Sequence, residues 1–222
     1  MFARIRSSRV GGVIGELLML VVGINIALWF EGKFEDFSDA ETEQQYLQGL
    51  SDDLQVDLEK LQSSIAFNEA KVERLSTLLT TLTELAGASG EEIAGAVFEP
   101  SGYDFFEPSD FTYRSMQESG DFRLLSDDAT KKGLLKLARR YRAIDLLQEN
   151  FIQALDDGYI PLIMGNFDIA GMRLDDPALL SDLKFKNFFA FAIQDTQQRV
   201  LYAKDALEQA RALLERIETQ TE

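Results

Sequence analysis

A run of 21 residues near the amino terminus, residues 10–30, constrains this chain most, because Glu16 is its only charged member. As a helix with a rise of about 1.5 Å per residue, the run would be about 31 Å long, the thickness of the hydrocarbon core of a bilayer. A secretory signal peptide is the competing interpretation, but its apolar part is usually shorter and ends at a small-residue cleavage site. The sequence therefore predicts an uncleaved transmembrane helix at 10–30.

The charges on either side of this run predict its orientation. Three arginines and no acidic residue occupy residues 1–9, whereas six acidic residues lie between positions 31 and 43. Under the positive-inside rule, residues 1–9 are expected in the cytoplasm and residues 31–222 on the other side of the membrane.

The composition excludes several classes of chemistry. The chain has no cysteine and no histidine, which removes disulfides, thiol chemistry, the usual zinc ligands and Ser–His or Cys–His catalysis. The formal net charge of −16 makes nucleic acid an unsuitable partner. The sequence contains no P-loop, no dinucleotide-binding motif and no nucleophile-elbow motif. We therefore expect neither an enzyme nor a cofactor-binding protein, and no metal site.

Two long stretches, 54–86 and 189–217, carry apolar residues at alternating spacings of four and three, which predicts two coiled-coil-like helices. A third helix is expected over 127–157, ending near Pro161, and no segment alternates with period two as a strand would. The predicted fold is an all-α antiparallel helical bundle that follows the membrane helix. Asn68, the polar residue within the first heptad stretch, either fixes the register between two chains or lies at an edge of a single-chain bundle. The second stretch favours the single-chain alternative.

One face of the predicted transmembrane helix is small and polar. At about 100° per residue, Gly12, Glu16, Gly23 and Ala27 lie within about 40° of one another, whereas Asn25 lies on the opposite face. Small residues let helices approach closely, and a carboxyl group within the bilayer requires a polar partner. These residues are therefore expected to mediate association with another helix. The alternative is a protonated Glu16 that lies alone near the inner interface.

Two apolar segments of the exported part are candidates for partner docking. Turn sequences surround the aromatic residues of the first segment, and an apolar connector after the third helix forms the second. The candidate docking residues are Phe98, Tyr103, Phe105, Phe106 and Phe111 in the first segment, and Ile160, Leu162, Ile163 and Met164 in the second. The alternative is that both segments cover the ends of the bundle.

Several short motifs of the chain stand out together: Gly15-Glu16, Val21-Val22-Gly23-Ile24, Ile26-Ala27-Leu28 and, later, Ser119-Gly120-Asp121 with Leu124-Leu125. These motifs resemble those of a family of bacterial single-pass membrane proteins of unknown function. In that family a membrane helix with the pattern G-E-x-x-L-x-V-x-G-I-x-I-A-L continues into a long acidic helix. The family usually leaves the membrane with N-N-W-N-E, where this sequence reads Leu28-Trp29-Phe30-Glu31. The resemblance implies a bacterial inner-membrane protein with a periplasmic domain, and it implies no activity.

Together, these observations predict a non-enzymatic single-pass inner-membrane protein that acts as an accessory or scaffolding subunit. Its expected partners are membrane lipid and either other membrane-protein subunits or copies of itself. One alternative is a periplasmic sensor or binding domain that signals through a partner, since residues 1–9 are too few for an output domain. Another is an oligomer in which Glu16 lines an ion or proton path.

Overall fold

The computed structural model describes residues 7–221, and for residues 7–18, 27–28, 30–36 and 86 it describes the backbone alone. The described part of the chain is almost entirely helical, which confirms the all-α prediction. In chain order the elements are α1 (Ser7–Thr81), α2 (Gly90–Phe98), α3 (Phe111–Ser119), α4 (Asp128–Ala154), α5 (Ile160–Met164), β1 (Phe167–Asp168), β2 (Arg173–Leu174) and α6 (Leu183–Thr221).

The two heptad stretches form α1 and α6, which pack antiparallel as predicted. Near one end of the pair, Gln44 of α1 donates a hydrogen bond of 3.5 Å to the carbonyl of Gln220. Farther along, Lys204 of α6 forms an ion pair with Glu69 of α1 at 2.7 Å. Each helix has an apolar stripe, and burial of the two stripes against each other provides much of the core.

The predicted third helix is α4, and it also packs antiparallel against α6. The Asp127 side chain caps the start of α4 by accepting hydrogen bonds from two backbone amides, and it pairs with Arg216 of α6 at 2.5 Å. In the middle of the helix, Arg140 pairs with Asp205 at 2.5 Å. Because α1 and α4 both run antiparallel to α6, they are parallel to each other and flank it.

The apolar core has two parts, separated along the bundle by a layer of buried polar side chains. One part contains Leu61 and Leu137, and the other contains Leu75 and Phe185. The polar layer between them consists of Asn68, Lys71, Gln148, Asp195, Thr196 and Arg199, which are all buried. Asn68 thus belongs to a bundle formed by one chain, as the single-chain interpretation predicts, although it is buried and not at an edge of the bundle.

The third helix ends before Pro161, as predicted, because α4 stops at Ala154. A π-helical turn, Leu155–Tyr159, then joins α4 to α5, and the backbone amide of Ile160 bonds to the carbonyl of Leu155, five residues earlier. Pro161 occupies the first turn of α5, a position at which proline is well tolerated. The apolar connector is therefore helical.

Two short elements between the long helices also differ from the sequence-based expectation. The strands β1 and β2 pair antiparallel, with Phe167 opposite Leu174, and strands of two residues are too short to show an alternating pattern. The helix α2 begins with a capping box in which the Ser89 and Glu92 side chains each accept a hydrogen bond from the other's backbone amide. No helix is predicted from the sequence at this position, although the capping box is a local sequence signal for one.

Candidate functional site

Of the residues predicted for transmembrane association, Gly12, Glu16 and Ala27 lie outside the residues whose side chains are described. Gly23 and Asn25 are exposed, and the Asn25 amide donates a hydrogen bond of 2.7 Å to a carbonyl one turn earlier in α1. Among the described residues, no helical segment is both long enough and apolar enough to span a membrane. Both the association face and the ion path therefore stay predictions.

The predicted docking residues divide into a buried and an exposed group. Phe106 and Ile163 belong to the two apolar cores, while Phe98 and Leu162 are half-buried. The exposed members are Tyr103, Phe105, Phe111, Ile160 and Met164. Phe111 is the most exposed of these at 77 %. Phe98 of the first segment packs against the same core as Leu162 and Ile163 of the second, whereas Phe106 belongs to the other core. Only part of each segment is therefore available to a partner.

A groove of about 1060 Å³ lies between α1 and α4, with the 105–110 loop and α3 at one side. Its volume is that of a ligand-binding cleft. Apolar side chains form the floor, among them Leu50, Leu54, Phe106, Leu134, Leu137 and Ile152. This groove, which lies between two long helices and has an apolar floor, is the candidate functional site.

One face of α1 holds the loop and α3 in place beside the groove. Asp53, Asp57 and Lys60 follow each other at helical spacing. The Asp53 carboxylate accepts a hydrogen bond of 3.0 Å from the amide of Thr112, and Asp57 accepts one of 2.6 Å from the amide of Ser109. The Lys60 ammonium donates to the Ser109 hydroxyl at 3.1 Å. Carboxylates on one helix therefore bind the backbone amides at the start of another.

Close packing at Gly49 completes this junction. A Cβ atom at Gly49 would lie 2.9 Å from the hydroxyl oxygen of Thr112, which is closer than real Cβ contacts. The absence of a side chain thus lets the start of α3 approach α1. At its other end α3 stops at Gly120, whose φ of 81° favours glycine.

Asp57 and Tyr141 form a buried polar pair at the bottom of the groove. Asp57 is 1 % exposed, and this burial raises its pKa, although the Ser109 amide and the Lys60 charge act in the opposite direction. Burial also raises the pKa of Tyr141, and the neighbouring Asp57 charge adds to the effect. Within the described part of the chain, the Tyr141 hydroxyl makes no hydrogen bond of standard geometry.

The rim of the groove is acidic. Eight acidic side chains and two arginines line the groove. Both arginines already have acidic partners on the rim, because Arg114 pairs with Asp110 at 3.1 Å and Arg142 pairs with Asp145 and, at 3.9 Å, with Glu149. The remaining acids therefore give the groove an excess of negative charge.

Lys71, in the buried polar layer, fixes the loop that leads to the groove. Its side chain is 0 % exposed, and its ammonium group donates hydrogen bonds to the carbonyls of Pro100, at 3.1 Å, and Gly102. The ammonium nitrogen also lies 4.7 Å from the ring centre of Phe151. Burial, with a contribution from the Arg199 charge, lowers the pKa of Lys71 to about 8.

Two further groups complete the layer. Arg199 and Asp195 form a buried ion pair of 2.9 Å, and Arg199 also donates to the Thr196 hydroxyl at 3.1 Å. The Gln148 side chain binds the backbone of Phe106 twice, accepting from its amide at 2.8 Å and donating to its carbonyl at 3.2 Å. The layer thus attaches the loop to the bundle at two points, residues 100–102 and Phe106.

The arrangement has the chemistry of a binding surface with an apolar floor and an acidic rim. Among the described residues, no group of three or more acidic side chains is placed to hold a metal ion. No protein-family model, curated protein or solved structure matches the chain. The shape and the charge of the groove, together with the exposed apolar part of α1, are therefore the basis for a functional proposal.

Proposed function

We propose that the chain is a single-pass inner-membrane protein whose periplasmic helical domain is an accessory or scaffolding subunit of a membrane complex. The supporting observation is the exposed apolar surface of α1 at residues 19–26. Every side chain there is exposed, and six of them are large and apolar: Met19, Leu20, Val21, Val22, Ile24 and Ile26. Full burial of one such side chain stabilises by about 1.5–3 kcal/mol, so this surface requires lipid or protein around it.

The continuity of α1 supports the proposed arrangement of the parts. In this proposal residues 1–9 are cytoplasmic, residues 10–30 span the membrane and residues 31–222 form the periplasmic domain. The first buried side chain among the described residues is Leu47. Contacts with the rest of the bundle begin at Glu43, whose carboxylate accepts a hydrogen bond from the Ser126 amide, so residues 31–42 would form a helical stalk of about 18 Å between the membrane and the bundle. Such a stalk holds the groove away from the lipid headgroups, where a neighbouring subunit can reach it.

The test of assembly uses the full chain, extracted from its own membrane in a mild detergent. Native mass spectrometry and cross-linking are expected to show a complex with other subunits or with further copies of the chain. Glu16→Leu should weaken that complex, because a polar contact within the bilayer is lost. Val21→Leu, at a position about 140° away from Glu16 around the helix, is the control and should leave the complex intact. A lone monomer in the wild type would refute the proposed assembly.

The test of topology is independent of assembly. A reporter that is active only in the cytoplasm, fused to the amino terminus, should be active, and the same reporter fused after residue 222 should be inactive. The opposite pattern would refute the proposed orientation.

A sensor or binding domain that signals through a partner is the second candidate, because a groove of about 1060 Å³ can hold a small ligand. This alternative predicts that a small molecule raises the melting temperature of the full chain. It also predicts that Ala138→Trp, which fills the groove from α4, abolishes the increase.

A further inference from the structure

We propose that the groove between α1 and α4 binds a basic amphipathic helix of a partner protein. This inference rests on the proposed accessory function and names the chemistry of the partner segment.

The position of the groove favours a helix as its occupant. The helices α1 and α4 are parallel and both pack on α6, so the groove between them is the place that a fourth helix occupies in a bundle. The loop and α3 cover only one side of it. Along α4 the lining residues extend from Leu134 to Asp157, a helical length of about 35 Å. A small ligand would occupy only a fraction of this length.

The floor of the groove matches one face of an amphipathic helix. Leu54, Phe106 and Leu137 are buried beneath it, and Phe105 remains 46 % exposed at its edge. A helix that binds such a groove presents apolar side chains at spacings of three and four residues. Burial of these side chains, together with the exposed ring of Phe105, would supply the apolar part of the affinity.

The charge of the rim determines the chemistry of the partner. Of the lining acids, Glu149, Asp156 and Asp157 are exposed on the last turns of α4 and the π-helical turn. They complement lysine and arginine on the flanks of an incoming helix. A second copy of this chain is a poor occupant, because each copy carries a formal net charge of −16.

The experiment measures binding of a fluorescein-labelled, 18-residue helical peptide of leucine and lysine, with leucines spaced by three and four. The full chain is used in an uncharged detergent, and all variants are compared in the same detergent. The wild type is expected to bind this peptide at least about tenfold more tightly than a matched peptide with glutamate in place of lysine. Equal binding of the two peptides would overturn the proposal.

Paired variants locate the binding site. Glu149→Lys with Asp156→Lys reverses two rim charges and should weaken binding at least about tenfold. Glu208→Lys with Glu215→Lys is the matched control: it has the same spacing and the same change in net charge, on exposed positions of α6 outside the groove. It should change the affinity by less than about twofold. Equal losses of affinity from both pairs would overturn the proposal, since binding would then depend on the net charge of the chain and not on the groove.

A third variant tests the floor without changing the charge. Ala138→Trp should fill the groove and weaken binding at least about tenfold, while circular dichroism confirms an unchanged helix content. Unchanged affinity would place the peptide elsewhere and overturn the proposal. A peptide-free chain that is dimeric, and that Ala138→Trp makes monomeric, would assign the groove to a second copy and also overturn it.

The peptide-binding experiment and the membrane-assembly experiment can fail independently of each other. The variant Glu16→Leu, which should weaken assembly in the membrane, should bind the peptide as the wild type does. Loss of peptide binding with intact assembly would remove this inference alone, and the reverse result would remove the membrane assembly alone.

Discussion

Replacing Lys71 with methionine should remove a pH dependence of stability that the wild-type chain shows between pH 7 and pH 10. The Lys71 side chain is fully buried in the polar layer between the two apolar cores. Its ammonium group binds two backbone carbonyls there, and among the described residues no carboxylate forms an ion pair with it. Burial therefore penalises the charged form, and the pKa falls from 10.5 to about 8.

The sign of the effect follows from which state binds the proton more tightly. The unfolded chain holds the lysine proton up to about pH 10.5, whereas the folded chain releases it near pH 8. Between these values the unfolded state carries more protons, so the free energy of unfolding rises with pH. Each pKa unit corresponds to about 1.4 kcal/mol, which gives a total of about 3 kcal/mol, of which about 2 kcal/mol falls between pH 7 and pH 10.

The assay is urea unfolding of the full chain, followed by circular dichroism at pH 7, 8, 9 and 10. The quantity of interest is the difference in unfolding free energy between the wild type and Lys71→Met. Ionisation of Tyr141 and Tyr159, whose pKa values are raised by burial, affects both proteins equally and cancels in the difference. Lys136→Met, at an exposed position of α4, is the control and should retain the wild-type profile.

The difference in unfolding free energy between the wild type and Lys71→Met at a single pH does not test the lowered pKa, because two opposing effects contribute to its sign. Methionine removes a buried charge but leaves the carbonyls of Pro100 and Gly102 without their donor, and these two effects are each about 1–3 kcal/mol. Parallel pH profiles for the wild type and Lys71→Met would refute the reasoning, because they would mean that Lys71 is not desolvated in the folded protein.

Three further predictions concern polar contacts of the bundle. Arg199→Met should destabilise the fold by about 3–5 kcal/mol in urea unfolding, because Asp195 is left buried without a partner, and adding Asp195→Leu should restore much of the loss. Asp57→Asn keeps an acceptor for the Ser109 amide and removes a charge that burial disfavours, so stability at pH 7 should be equal or higher. Asp57→Leu should cost about 1–3 kcal/mol instead. Asp127→Ala should remove the part of the wild-type stability that is lost as the pH falls below about 4, since the Arg216 contact lowers the pKa of this carboxyl; melting temperatures from pH 3 to pH 7 measure this.

Local sequence signals predicted the long elements of the fold and their pairing. Spacings of three and four are a property of a single helix, so the stretches that became α1 and α6 could be recognised without knowing their neighbours. Asp127 and Gly120 mark helix ends by equally local chemistry. The same reasoning did not predict that the chain stays helical beyond Ala154, through the π-helical turn and α5.

The groove could not be predicted in this way, because its parts are distant in the sequence. Asp57 binds the amide of Ser109, a residue 52 positions later in the chain. On the helix α1 alone, Asp57 lies outside the apolar seam and is indistinguishable from a solvated surface acid. Lys71 presents the same difficulty, since only the approach of the Pro100 carbonyl shows that it is buried.

The buried polar layer holds in place the segment of chain that leads into the groove wall. Lys71 holds the carbonyls of Pro100 and Gly102, and Gln148 binds both backbone groups of Phe106, so the segment between them is fixed at both ends. The chain continues from Phe106 directly into the wall of the groove. Apolar residues in this layer would avoid the desolvation of Lys71, but they would leave that segment without polar anchors. The buried polar side chains of Lys71 and Gln148 therefore fix the segment that leads into the groove wall, and the desolvation of Lys71 is the energetic cost of that anchoring.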